Sequence, residues 1–478
     1  MSISRRTVLK SSAAVTALSM LGGVAQKVLA SSPAFKPGPG NKWPGRVIVN
    51  FNKNAVTGTA SSLKIEDTVP PEMVKESILA LAQKGDIGEA WKAIFPDTLT
   101  AASKIAIKTN FYTTNLCCVH WSVVKAIADG LQLMDFGGTK FPAANITVYE
   151  SNTPATSTFA KVGYTAERFP GISLVMDSQQ SYSDAATNES RYCTSLNKAD
   201  FLINVFGIRG HQDYCEGVTL GFKSHWGTYP ADYNKHGAGT FSIRCAHMMC
   251  SGVVNKKLVL SVAAGLVSNN IGVNHSPTDG PDDFSTYAKK MDPTATTLGA
   301  CTIIMSTDPI SADMQAIKVM KLNVNKTYNV SDMPKYLRAC AGDSSALSGT
   351  VYNIGVIDEP KMTVITFKNG ENVTPVAIRE NRGQTAPDYS LRVSPLHGQG
   401  VVIIEYFVPS SLDGRRSLLS VFDARGRLVF SKEQIVSGAY NRFTWDRTTK
   451  HGTKIGRGKY VGKLTVGKHR RSAAFYVD

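Results

Sequence analysis

Seven histidines and cysteines crowd into one span of this chain: His211, Cys215, His225, His236, Cys245, His247 and Cys250. Imidazole and thiolate suit zinc, copper, iron or nickel, so a bound transition metal is expected here. The ligand set is His211, Cys215, Cys245, His247 and Cys250. The spacing Cys245-Ala246-His247-Met248-Met249-Cys250 is not that of a paired-cysteine zinc motif, and a helix would turn Cys245 and Cys250 to partly different faces. Buried thiols and a surface histidine explain the same residues.

A second group stands just after apolar, β-rich runs, where ligands of α/β proteins collect. Lys108 and Asn110 end one run, Asn204 to His211 end another, and Asp308 ends a third. Lys223 is added from the following loop. A cation, an amide, an imidazole and a carboxylate around one crevice would bind a phosphate or carboxylate, or assist a proton transfer. Lys108, His211 and Lys223 are the candidate catalytic groups; Asn110, Asn204, Thr219 and Asp308 are the candidate ligand-binding ones. Asp308 has a competing role as cap of a helix opening at Pro309, and Lys108 with Asp308 a competing role as a structural ion pair. No Gly-x-Ser-x-Gly elbow and no Gly-x4-Gly-Lys-Ser/Thr phosphate loop occurs, which argues against serine hydrolases and P-loop nucleotide-triphosphatases.

These residues need a sheet to position them. Strands are expected at Arg46–Phe51, Lys104–Thr109, Asn145–Glu150, Gly171–Met176, Asp200–Phe206, Lys257–Ala263 and Cys301–Ser306. Helical spacing falls in Pro71–Lys84 and Val119–Leu133, with a further helix at Ser331–Cys340. That alternation predicts an α/β domain over residues 31–341, a mostly parallel sheet flanked by helices. Residues 342–394 read as a connecting segment. Residues 395–478 read as a small all-β sandwich of six short strands separated by turn residues.

The sandwich resembles the Ig-like domain of the flagellar hook-assembly protein FlgD. The resemblance rests on Val401–Pro409, Val421–Val429, Trp445-Asp446, Gly452 and Gly456–Tyr460. The α/β part resembles the family called domain of unknown function 362, from about Ile105 to Lys321. Its carriers are Ile105–Asn110, His120, Ala199–Val205, Arg209-Gly210-His211, Val218–Gly227 and Ser306–Asp313. Ser224 stands where that family usually has asparagine, and Ala263 and Ala264 where a strand often ends in aspartate. Some members carry iron–sulfur clusters, which the resemblance implies as a possible cofactor, although this chain has no four-cysteine ferredoxin run.

At the N-terminus, Ser4-Arg5-Arg6-Thr7-Val8-Leu9-Lys10, a mildly apolar stretch and Val28-Leu29-Ala30 form the pattern of a twin-arginine signal over residues 1–30. The expectation is folded export by the twin-arginine translocase to the periplasm or cell surface. No segment reaches the ~20 continuous apolar residues of a membrane span. The formal charge of +16 stays strongly positive without Arg5, Arg6, Lys10 and Lys27, and much of it gathers near the C-terminus. An anionic cell-envelope polymer is therefore a candidate partner of the sandwich, and nucleic acid is not. Two readings follow: an exported protein using a metal or redox cofactor, or a non-catalytic envelope protein binding an anionic ligand.

Overall fold

The computed structural model describes residues 37–111, 115–151, 158–177, 179–181, 191–212, 216–228, 241–250, 252–271, 275–276, 279–324, 329–347, 352–374, 390–396, 401–407, 414–436, 440–449, 451–467 and 469–477. The chain forms two compact units, Met1–Ala377 and Ile378–Asp478.

The first unit is built on a nine-stranded sheet. Its strands are β1 (Arg46–Phe51), β2 (Ile105–Lys108), β3 (Ile146–Ser151), β4 (Ser173–Asp177), β5 (Phe201–Phe206), β6 (Leu258–Gly265), β7 (Thr302–Ser306), β8 (Thr363–Lys368) and β9 (Glu371–Asn372), in the spatial order β9-β8-β1-β7-β6-β5-β2-β3-β4. Continuous apolar runs make the central strands, as expected of strands covered on both faces. Every residue of β2, β5, β6 and β7 is buried. β5, β2, β3 and β4 run parallel, as do β5 with β6 and β1 with β8. β7 is inserted antiparallel to both β1 and β6.

Helices cover the faces. α1 (Val69–Ala82) opens on Pro70-Pro71, where missing N–H groups cost nothing, and ends with Gln83 in the left-handed conformation. α2 (Ile87–Ala93) is capped by Asp86, whose carboxylate accepts the Glu89 N–H. α3 (Trp121–Leu131) has His120 at its N-cap and buries Val123, Val124, Ile127 and Leu131 on one face. α4 (Gly221–Ser224), α5 (Phe241–Cys250), α6 (Pro309–Val324) and α7 (Lys335–Cys340) complete the set used below. Among the described residues, no helix is long and apolar enough to cross a membrane.

The stretch 342–394, expected to be a connector, is divided between the units. β8 pairs in parallel with β1 along its whole length, while Ser390–Leu396 pairs with Val401–Phe407. The second unit carries a three-stranded and a four-stranded antiparallel sheet. Trp445 is buried among Val402, Ile404, Leu419, Val421, Tyr460 and Phe475, stacks on Phe430 at 4.9 Å, and donates its indole N–H to the Thr448 carbonyl. That polar handle lets the largest apolar side chain anchor a small core.

Candidate functional site

Three interior strands each interrupt an apolar run with a single polar residue. Lys108 ends β2, Asn204 sits inside β5, and Ser261 lies inside β6. The register places Lys108 beside Asn204 and Asn204 beside Ser261, so the three form one row across the sheet, continued by Ser306 of β7. Paired residues share a face, and over this face lies α4: the Asn204 side-chain amide donates to the Gly221 carbonyl at 2.9 Å.

β3 adds the counter-charge. Lys108 Nζ lies 2.6 Å from Glu150 Oε1, with the two side chains 0% and 2% exposed. The ammonium also donates to the Thr109 carbonyl. The carboxylate accepts the Phe111 and Ser151 N–H groups, at 3.0 and 2.7 Å. Charge-assisted hydrogen bonds of this kind are what make a buried pair tolerable. Lys108 is therefore a fixed cation whose compensation comes from Glu150, not from Asp308.

His225 closes the row from above. It is fully buried, with Nδ1 3.3 Å from the Thr228 hydroxyl. Burial, and then the positive charge of Lys108, push its pKa down to about 3, so the ring is neutral at physiological pH. Because the folded value lies below the ordinary 6.5, this group's contribution to stability is present above pH 6.5 and is lost as pH falls toward 3. The expected outcome is that His225→Phe flattens the acid side of the urea stability profile through that window. An unchanged profile would contradict the neutral, buried ring.

Four buried polar atoms around this row have no hydrogen-bond partner among the described residues: Asn204 Oδ1, Ser224 Oγ, His225 Nε2 and Ser261 Oγ. A buried polar atom left unpaired costs about 1–3 kcal/mol. Beside them, Cys193 directs its thiol toward the Gly227 carbonyl, which also accepts from Ser151 Oγ; burial raises that thiol to about 12.

The loops following β2, β5 and β6 supply a second polar cluster. His275 Nδ1 lies 3.2 Å from Asp279 and Nε2 lies 2.8 Å from Asp282. A Cβ on Gly210 would come within 2.7 Å of the His275 ring and 2.0 Å of the Asn270 carbonyl, so this approach requires glycine. The Ser276 N–H, then His275 and nearly buried Arg209, hold the Asp279 carboxyl below its usual range, whereas burial outweighs Arg209 at the Cys117 and Cys118 thiols and raises them to about 12 and about 11.

The sequence-derived candidates separate into those the fold brings together and those it does not. Lys108 and Asn204 are neighbours. Asn110 is half-buried, and its carbonyl accepts the Val119 N–H. His211 follows the Arg209–Gly210 strand, which pairs with Val218–Thr219, and its Nδ1 accepts the Gln212 N–H at 2.8 Å. The Thr219 hydroxyl is buried without a partner among the described residues. Lys223 is half-buried on α4, its ammonium 5.7 Å from the Trp226 ring.

Asp308 does not join them. β7 runs antiparallel, so its C-terminal end points away from the crevice and lies level with the start of β1. There Asp308 Oδ1 accepts the Ile310 and Ser311 N–H groups, capping α6, and Oδ2 accepts those of Gly45 and Val356. The metal set is likewise dispersed. Cys245 and Cys250 are buried in α5, where Cys250 meets Cys340, and the His247 ring packs edge-on to Tyr352. His211 belongs to the strand ends, and Cys215 lies outside the described residues. Among the described residues, no group of three or more His, Cys, Asp or Glu side chains is placed to hold a metal.

The model of the family described as "Domain of unknown function (DUF362)" matches residues 105–318, which supports a domain of that kind. The match spans β2 to most of α6 and so contains the whole polar row. No curated protein matches the chain. Solved structures with a likeness include dimeric latent PorU from Porphyromonas gingivalis, 22% identical over 18% of this chain and 9% of that one, with a TM-score of 0.17. PorZ, a surface component of the type-IX secretion system of the same organism, is 19% identical over 19% of this chain and 11% of its own, at 0.15. FlgD from P. aeruginosa is 16% identical over 19% of this chain and 67% of its own, also at 0.15, a weak likeness of low coverage. The chain thus spans about a tenth of the length of the first two.

Glu150, His225, Ser261 and His275 are the site residues that sequence reasoning did not select. A signal was available for two of them. Glu150 is the only charge in Ile146–Ser151, just as Lys108 is in Ile105–Lys108, and Ser261 is the only polar residue in Leu258–Gly265. A lone polar residue in a strand buried on both faces asks for a partner. His225 and His275 carried no such signal, because their burial depends on what packs over the sheet.

Proposed function

We propose that this is an exported protein whose α/β domain binds a small ligand with an anionic oxygen head group in the Lys108–His225 row, while the basic sandwich holds the protein to an anionic envelope polymer. One observation carries the reading: among the described residues, Asn204 Oδ1, Ser224 Oγ, His225 Nε2 and Ser261 Oγ all lack partners beside a buried cation. Two hydroxyl donors, an imidazole nitrogen and an ammonium suit a carboxylate or phosphate oxygen, and the Asn204 oxygen suits a hydroxyl or N–H next to it. A neutral imidazole held at a pKa of about 3 offers such a ligand a hydrogen bond rather than a proton transfer. The metal or redox reading has the weaker support, since its described ligands are scattered.

Stability and binding should therefore move in opposite directions in one variant. Ser261→Ala removes a hydroxyl with no partner among the described residues, so the folded unit should be as stable as the parent or more so, by up to about 1–3 kcal/mol. The same variant should lose the small molecule that native mass spectrometry finds on the parent and that denaturation releases. A parent that carries no small molecule after native purification, or a Ser261→Ala protein that retains it unchanged, would sink this reading.

A further inference from the structure

All seven cysteines among the described residues are buried. Two of them meet: Cys250 at the end of α5 and Cys340 at the end of α7 place their sulfurs 3.5 Å apart across 90 residues of chain. The helices are packed together around this point, with the Phe241 and Tyr336 rings edge to face at 6.2 Å. The other thiols are engaged elsewhere: Cys301 with the Thr297 hydroxyl and Cys193 with the Gly227 carbonyl, while Cys117 and Cys118 are chain neighbours.

We propose that Cys250 and Cys340 are a disulfide site, closed when the chain folds in the presence of a small disulfide oxidant. The sulfurs must approach from 3.5 Å to about 2 Å. One S–S bond forms and two S–H bonds break. The two electrons and two protons pass to the oxidant disulfide, which leaves as two thiols. Timing follows from burial. Both thiols are fully buried, and Cys340 is held protonated first by that burial and then by Cys250, so the attacking thiolate is scarce once the native packing has formed. Closure therefore needs the α5–α7 contact to open, during folding or after it, and the bond then fastens α7 to α5, which packs on the segment bearing His225.

The test is refolding of the full chain from guanidinium in a glutathione redox buffer, followed by alkylation in denaturant and intact-mass measurement. With eight cysteines in the sequence, the expected product takes two alkyl groups fewer than the fully reduced chain, and peptide mapping finds the Cys250 and Cys340 peptides joined. Cys250→Ala and Cys340→Ala should each leave all remaining thiols alkylated, whereas Cys301→Ala should keep the deficit of two. The oxidised parent should also unfold at a higher denaturant concentration than after dithiothreitol treatment, a difference absent from Cys250→Ala. Full alkylation of the oxidatively refolded parent, or a joined pair other than Cys250 and Cys340, would overturn the assignment.

Discussion

Lys108→Met is expected to destabilise the α/β unit by about 3–5 kcal/mol at neutral pH, because it strands the Glu150 carboxylate. Glu150 would keep the Phe111 and Ser151 N–H groups but lose the ammonium 2.6 Å away, at a side-chain exposure of 2%. Glu150→Gln strands the ammonium instead and should cost a similar amount. The double variant Lys108→Met/Glu150→Gln should recover much of either loss, since no unpaired charge is left. Urea unfolding of the four proteins measures this; a double variant as unstable as the sum of the singles would show that the two groups are independent.

The second large effect comes from the turn that follows β7. Asp308→Asn is nearly isosteric, yet it should cost roughly 2–6 kcal/mol, from two buried N–H groups left unpaired at about 1–3 kcal/mol each. Both carboxylate oxygens accept two backbone N–H groups: Oδ1 those of Ile310 and Ser311, Oδ2 those of Gly45 and Val356. An amide must turn its NH2 toward one of these donor pairs. The contact joins the entry to β1, the first turn of α6 and the segment leading into β8, so hydrogen exchange should speed up in all three. Gly355 marks how closely that segment approaches: a Cβ there would lie 2.1 Å from Asp308 Oδ1. A variant that matched the parent in urea would show that the four contacts do not persist in solution.

The apolar runs announced the interior strands because burial on both faces leaves little room for polar residues; β1 falls where the sequence placed it, at Arg46–Phe51, and β5 and β7 differ by a residue at one end. β8 went unassigned because all six of its residues are only half-buried, which blurs the pattern. Strand direction was the larger obstacle. Some 35 residues and a helix, Ser285–Met291, separate β6 from β7, a connection that reads as a parallel crossover, yet β7 returns antiparallel. Reversing one strand removes Asp308 from the crevice and leaves it as a cap, the competing role the Asp-Pro step had offered. The Lys108 partner was hidden for a related reason. Asn204 and Glu150 flank Lys108 only because β2 lies between β5 and β3, and spatial order is set by packing over long sequence distances. In the His/Cys span, density in sequence is not proximity among the described residues: α5 turns its thiols into the core, where Cys250 meets a residue 90 positions on.

The central claim is that the Lys108–His225 row holds a ligand, and a crystal structure of the natively purified protein tests it most directly. The account predicts ordered density larger than water, bearing an oxygen within hydrogen-bond distance of Ser261 Oγ and His225 Nε2, and its loss in crystals of Ser261→Ala. Water alone satisfying Asn204, Ser224, His225 and Ser261 in both proteins would contradict it and make the row a hydrated part of the core.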